Sequence, residues 1–334
     1  MSTAISAAAT TTNAPSTILR ERISQIYHQS FPDLLFEAQQ VHRSHHDSQT
    51  VQLCTLCSIK TGLCPEDCAY CSQSVHNQTD LTPQALLDVD QVMAQAKAAK
   101  ANGSTRFCMG AAWREIRDNA QFEQVLAMVR QVAALEMEVC CTLGMLKPHQ
   151  AERLKSAGLT AYNHNLDTSP SYYGQVITTR TYADRLETIR AVSAAGISVC
   201  CGGIVGMGES IGDRLELLEV LAQLDPTPES IPLNWLIPIP GTPLQAAAPI
   251  DPIEFIRLVA TTRILFPRAI VRLSAGRTQM SDELQALCFL AGVNSIFTGA
   301  VLLTAPNPGQ RQDEQLLHKL GMVAKVLEPA MPND

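Results

Sequence analysis

Ala194-Ala195-Gly196-Ile197-Ser198-Val199-Cys200-Cys201-Gly202-Gly203-Ile204 decides the architecture of this chain. A helical run closes on Gly196, a β-rich run follows over Ser198–Ile204, and Ser210 caps the next helical run, Ile211–Leu224. Strand, turn and helix in that order make one βα unit, because parallel neighbours have to be joined by a crossover. The same rhythm extends both ways. Strand candidates lie at Val51–Ser58, Ser104–Gly110, Glu136–Leu143, Ala161–Leu166, Ile231–Leu236, Ala269–Ser274 and Ser295–Gly299. Thr82-Pro83 reads as a helix start and Asn102-Gly103 as its end, Lys155–Gly158 as another end and Asp251-Pro252 as another start; Thr278–Gly292 and Gln312–Val323 complete the helices. Eight strands each followed by a helix predict an α/β fold of the TIM-type (β/α)8 barrel kind, favoured over an open doubly wound sheet because eight successive units close naturally. Ile18–Gln40 adds an N-terminal helical extension, interrupted near Phe31-Pro32. The expected organisation is a disordered tail at 1–17, N-terminal helices at 18–50, one barrel at 51–325 and a C-terminal tail at 326–334.

Composition narrows the function. Hydrophobic residues make up 46% of the 334 residues and charged ones 17%, which supplies a large core and a lean polar surface. A net charge of −7 argues against nucleic acid as a partner, since phosphate recognition needs a basic footprint. No apolar run reaches the roughly 18 residues of a membrane span. Residues 1–17 are rich in Ala, Ser and Thr without Lys or Arg, which fits neither a secretory signal nor a mitochondrial transit peptide. Eleven cysteines, an odd number, without an export signal point to reduced thiols and a cytoplasmic setting.

Three of those thiols sit in Cys64-Pro65-Glu66-Asp67-Cys68-Ala69-Tyr70-Cys71, spaced C-x3-C-x2-C. A structural zinc site closes with four ligands. Three thiolates around a four-iron cubane instead leave one iron open to a small molecule, which suits catalysis.

Strand parity sorts the others, because alternate residues of a barrel strand face the lumen and the helix layer. Cys140 shares a face with Glu138 and Thr142, while Cys141 joins Met137 and Val139. Cys200 falls with Ser198 and Cys201 with Ile197 and Val199; Cys108 falls with Ser104 and Arg106; Arg272 falls with Ser274. Cys108, Cys140, Cys200 and Arg272 are therefore expected inside the barrel. A buried Arg is rare unless paired, so this set favours a charged inorganic partner, a second metal–sulfur cluster. Cys141, Cys201 and Cys288 are expected to be ordinary core residues. Asn163, Asn165 and Asp167 share the lumen face of the fourth strand, and Asn234 points inward from the sixth. The glycines of Gly202–Gly208 are equally consistent with ligand approach and with a tight turn. His42, His45 and His46 read as a solvated helix face.

The cluster loop after the first strand, with Tyr70 before its last cysteine, resembles the radical S-adenosylmethionine superfamily. Ser58–Gly62, Arg106–Trp113, Tyr162–Thr168, Gly202–Gly206 and Val271–Arg277 resemble, more narrowly, the biotin synthase family. That resemblance covers about Leu34 to Leu320. It implies a radical sulfurtransferase in which Cys64, Cys68 and Cys71 hold a 4Fe–4S cluster, with S-adenosyl-L-methionine on the open iron. Cys108, Cys140, Cys200 and Arg272 match the ligands of a 2Fe–2S cluster. Tyr70, Ala111, Asp167, Arg185 and the backbone near Ile237 match positions around S-adenosylmethionine. Asn165 and Asn234 match contacts to the ureido ring of dethiobiotin, and Thr304 with Ala305 the segment at its carboxylate. The implied chemistry uses a 5′-deoxyadenosyl radical to activate dethiobiotin carbons, which then take sulfur from the 2Fe–2S cluster to form biotin. An electron donor such as flavodoxin or ferredoxin and a homodimer are implied with it. Cys54 and Cys57 depart from the pattern and are read as core strand residues. The alternatives are a relative with the same barrel acting on another substrate, and a non-catalytic electron carrier or zinc protein; the lumen thiols and the missing fourth local cysteine discriminate against them.

Overall fold

The computed structural model describes residues 14–326; the expected tails at 1–13 and 327–334 lie outside the described residues. Helix α1 (Ala14–Tyr27) begins ahead of the expected Ile18, so Ala14–Thr17 are helical and not tail. Helix α2 (Phe31–His45) follows, with Pro32 in its first turn. Nine short strands come next: β1 (Thr50–Lys60), β2 (Arg106–Ala111), β3 (Glu138–Thr142), β4 (Ala161–Asn163), β5 (Ser198–Cys200), β6 (Gly203–Val205), β7 (Ser230–Trp235), β8 (Ile270–Leu273) and β9 (Ser295–Phe297). They pair in parallel in the order β1-β2-β3-β4-β5-β7-β8-β9, and β9 returns to β1 with Gln52 opposite Ser295 and Cys54 opposite Phe297. The ring is closed, as eight βα units predict. Three further short strands lie outside that order. β10 (Val301–Leu302) and β11 (Ala305–Pro306) form a hairpin after β9, and β12 (Val323–Ala324) pairs with the start of β1.

The run expected as one strand over 198–204 is broken at Cys201-Gly202, and its second half, β6, pairs with β7. A Cβ on Gly202 would stand 2.0 Å from the Pro232 carbonyl oxygen. This glycine therefore serves the close approach of two chain segments. A second difference lies after β1. Thr82-Pro83 does not start a helix; Thr61 and Gln84 bridge, and the Leu87 amide donates to Ile59 O at 2.8 Å, which holds this stretch extended against β1. The helix begins at Val89, where Asp88 N donates to Gln91 Oε1 at 2.9 Å. The run expected as a single helix over 278–292 divides into a 3-10 turn at Arg277–Gln279 and a helix at Asp282–Leu290 that Ser281 caps.

Outward strand residues and inward helix faces form the main core, with Phe107, Val139, Cys141, Tyr162, Val199, Cys201, Val271 and Cys288 fully or nearly fully buried. Each large apolar side chain in it contributes roughly 1.5–3 kcal/mol. α1 and α2 pack on the helices Ile211–Gln223 and Pro252–Leu265; Arg20 Nε lies 2.7 Å from Glu219, and Arg257 Nη1 donates to Tyr27 O and Gln29 O at 3.0 and 2.8 Å.

The histidines ending α2 overturn the solvated-face expectation. His45 is exposed, but His42 is only 2% exposed and stacks on His46 with ring centroids 5.4 Å apart. His46 Nε2 lies 3.0 Å from both Pro267 O and Arg263 Nη1. Burial, and then the Arg263 charge, push His42 down to about 3 and His46 down to about 4. Two neutral rings thus stack at the end of α2, and His46 ties them to Arg263 and Pro267 through contacts that lie 217 and 221 residues away in sequence and leave no local pattern.

Candidate active site

A cavity of about 330 Å³ runs from the loop after β1 into the barrel lumen, and both cysteine sets line it. This is the C-terminal face of the strands, where a (β/α)8 fold gathers its chemistry.

The outer set is held by the chain itself. Cys64 N donates to Gln73 O and Val75 N to Cys64 O, both at 2.9 Å, and Cys71 N donates to Cys68 O at 3.0 Å. Asn77 Nδ2 donates to the carbonyls of Cys68 and Cys71 at 3.1 and 2.8 Å. Asp67 accepts from the amides of Thr178 and Thr179 at 2.9 and 3.2 Å and from the Thr178 hydroxyl. Glu66, 2% exposed, takes the Thr179 hydroxyl and lies 3.4 Å from Arg114 and 3.9 Å from Arg180. The two acids inside the motif, to which the sequence reading gave no task, therefore pin the loop to Thr178–Arg180. Burial pushes Cys64 up, Cys68 to about 12 and Cys71 to about 11, so these three side chains are thiols before any metal binds, and metal binding has to release protons.

The inner set confirms the parity reading. Cys108 and Cys140 belong to the lumen cluster with Ala161, while Cys141 and Cys201 lie in the outer core. Cys108 stands opposite Cys140 across β2 and β3; Ala161 follows on β4, and Cys200 is level with Asn163. Donation of its own proton to Cys108, with burial added, holds the Cys140 thiol well above its ordinary value, although a hydrogen bond from Cys200 acts in the opposite direction. Arg272, 1% exposed, points Nη1 at Cys200 Sγ, 3.6 Å away, and has no carboxylate partner among the described residues. A buried cation facing thiols without a counter-carboxylate fits an anionic iron–sulfur group. No three Cys, His, Asp or Glu side chains among the described residues are close enough to share one metal ion.

Between the two sets lie the polar residues. Tyr70 Oη donates to Asp167 Oδ2 at 2.8 Å, and Asp167 also pairs with buried Arg185, whose Nε donates to Tyr173 Oη at 3.0 Å. Asn165 Oδ1 accepts from Asn163 Nδ2 and Gly202 N, at 3.2 and 3.1 Å. Its NH2 has no partner among the described residues. Asn234 donates to Gly203 O and accepts from Ala275 N, at 2.9 and 3.2 Å. Thr304 Oγ1 lies 2.8 Å from Ser72 Oγ, joining the β10–β11 hairpin to the cluster loop, and Ile237 and Ala305 line the same cavity. Ala111 is not in the cavity wall; it packs on the outer core. Asn165 and Asp167 lie beyond β4, which ends at Asn163.

The sequence reading missed two features. Cys54, read there as a core strand residue, belongs to the lumen cluster, while Cys57 does sit in the outer core. The parity rule applied to β1 separates them, since Gln52, Cys54 and Leu56 alternate with Leu53 and Cys57. His164 lines the cavity, fully buried with Nε2 unpartnered, and burial holds it neutral.

A closed parallel barrel with an open three-cysteine loop at its mouth defines the radical S-adenosylmethionine class; the Radical SAM superfamily model matches residues 58–221, and that of the Biotin and Thiamin Synthesis associated domain matches residues 232–323. A biotin synthase of Gloeobacter violaceus is 71% identical over 314 residues (94% of this chain, 98% of that one), and one of Acidithiobacillus ferrooxidans is 61% identical over 302 (90% and 95%). The chain belongs to the biotin synthase family. Among solved structures, the FeFe-hydrogenase maturase HydG from Carboxydothermus hydrogenoformans superposes with a TM-score of 0.79 at 16% identity, over 94% of this chain and 80% of that one. Methylornithine synthase (PylB) gives 0.77 at 14%, over 92% and 94%. At such identities the likeness shows the fold alone.

Proposed function

We propose that this chain inserts sulfur into dethiobiotin to make biotin. The observation that carries the reading is a single cavity lined by the open three-thiol loop at its mouth and by Cys108, Cys140, Cys200 and Arg272 inside. When bound, a 4Fe–4S cluster on Cys64, Cys68 and Cys71 supplies the electron that cleaves S-adenosylmethionine, and a 2Fe–2S cluster on the inner set supplies the sulfur. The protein's own groups do the placing. Tyr70, Asp167, Arg185 and Ile237 wall the region beside the loop where S-adenosylmethionine binds. The free Asn165 NH2 donates to the ureido oxygen of dethiobiotin, Asn234 stands beside it, and the Thr304 hydroxyl meets the substrate carboxylate. The closed ring of strands keeps water from a reactive carbon radical.

The same reading takes a flavodoxin or ferredoxin as electron donor, a homodimer as the working form and the cytoplasm as its compartment; eleven unpaired cysteines agree with a reducing environment. It treats 18–50 as a helical extension of one barrel over 51–325. No helix among the described residues is long and apolar enough to cross a membrane.

The test is anaerobic reconstitution with iron and sulfide, followed by reductant, S-adenosylmethionine and dethiobiotin. Biotin should form. Both clusters visible by Mössbauer spectroscopy without any biotin would sink the assignment.

A further inference from the structure

Beneath the inner thiols the lumen holds a polar network in which one neutral side chain touches nearly every member. Gln52 is 3% exposed on β1. Its Oε1 accepts from Arg272 Nη2 and from Ser295 Oγ, both at 3.3 Å, and lies 3.6 Å from Cys54 Sγ. Its Nε2 donates to Glu138 Oε2 at 2.8 Å, and that same oxygen takes Arg106 Nε at 2.7 Å. Arg272 Nε donates to Ser295 Oγ at 3.0 Å, and its guanidinium lies 5.1 Å from the Phe297 ring centroid.

We infer that Gln52 is the positioning residue for Arg272: it carries the orienting effect of Glu138 to that guanidinium and keeps Nη1 turned toward Cys200. The inference rests on the inner thiols and Arg272 holding a cluster, as proposed above. An amide is the one side chain of this size that can accept from Arg272 while donating to a carboxylate. A glutamate at 52 would meet Glu138 with like charge and pair directly with Arg272, drawing the guanidinium off the sulfur face. A leucine would leave Arg272 Nη2 without a partner in a buried place, and half-buried Glu138 with Arg106 but without its amide donor.

The experiment compares the reconstituted wild-type chain with Gln52→Leu, measuring by Mössbauer spectroscopy how fast each cluster loses iron to a chelator; the outer cluster serves as internal control. Residues that orient a metal ligand typically change metal retention by about 10–100-fold. Gln52→Leu is therefore expected to lose the inner cluster about tenfold faster, with the outer cluster unchanged. On an Arg272→Ala background the same substitution should add less than about twofold, since residues acting through one contact are not additive. A wild-type rate in Gln52→Leu, or the full tenfold effect persisting without Arg272, would overturn the inference; the latter would make Gln52 a packing residue only. If Gln52→Leu does not fold, Gln52→Glu keeps the side-chain volume and should also speed inner-cluster loss by about tenfold or more; a wild-type rate there overturns the inference equally. Absence of biotin with both clusters present defeats the functional reading and leaves this one standing. A wild-type chain that holds no inner cluster defeats both.

Discussion

The two cysteine sets solve the same problem by opposite means. Cys64, Cys68 and Cys71 come from one loop of eight residues, and side chains from elsewhere hold that loop in place: Asn77 on the carbonyls of Cys68 and Cys71, Asp67 and Glu66 on Thr178 and Thr179. Cys108, Cys140 and Cys200 come from three strands, fixed by the ladder hydrogen bonds of the barrel wall. A loop can be re-formed around a cofactor that exchanges ligands at an open corner. A strand cannot move without its neighbours, so the inner set is rigid and its ligands are replaceable only one side chain at a time.

The difference can be broken at its strongest point first. Cys140→Ala should abolish the inner cluster and lower biotin formation by more than the roughly 10–100-fold typical of an outer-shell change, while the outer cluster survives; Mössbauer spectra and biotin yield read both. Asp67→Ala should do the reverse. Losing its hydrogen bonds to Thr178 and Thr179 costs about 1–2 kcal/mol, which should speed iron loss from the outer cluster roughly tenfold and leave the inner one alone. Acid should fail to discriminate. The folded-state values of His42 and His46, about 3 and about 4, lie below the ordinary 6.5, so between those limits the unfolded chain binds more protons than the folded one. Stability is fully present above pH 6.5 and falls as pH drops toward 4. Urea midpoints measured across that range should decline for the wild-type chain and decline less steeply in His42→Leu, where His46 alone remains of the pair, and both clusters should be lost together. The smallest effect belongs to Cys141→Ala, which trims one sulfur from the outer core at about 1 kcal/mol and should keep both clusters. Loss of the inner cluster there, with Cys140→Ala keeping it, would invert the assignment of faces.

What could be read from the sequence follows the same divide. The outer loop was legible because its ligands are neighbours in the chain. The inner set became legible through alternation, since Val139 and Cys141 against Glu138 and Cys140 state which face is wet. Alternation failed only where it was not applied, at Cys54. It says nothing about contacts set by tertiary packing: the Thr82-Pro83 start was overridden by pairing with the end of β1, and the buried His42–His46 pair looked polar because Arg263, which meets His46, lies far along the chain. Glu66 and Asp67 were in plain view, but their partners Thr178 and Thr179 are more than a hundred residues away.

The closure of β9 onto β1 also orders events during synthesis. The outer ligands leave the ribosome early, yet Ser295 and Phe297, which complete the wall beside Gln52 and Cys54, are made only near the end. Between the synthesis of Cys200 and that of Ser295 the nascent chain carries its inner thiols on an unsealed sheet with one edge of β1 unpaired, the state in which strand edges are prone to pair wrongly. The wall around Cys108, Cys140, Cys200 and Arg272 is therefore complete only when the last strand of the barrel joins the first.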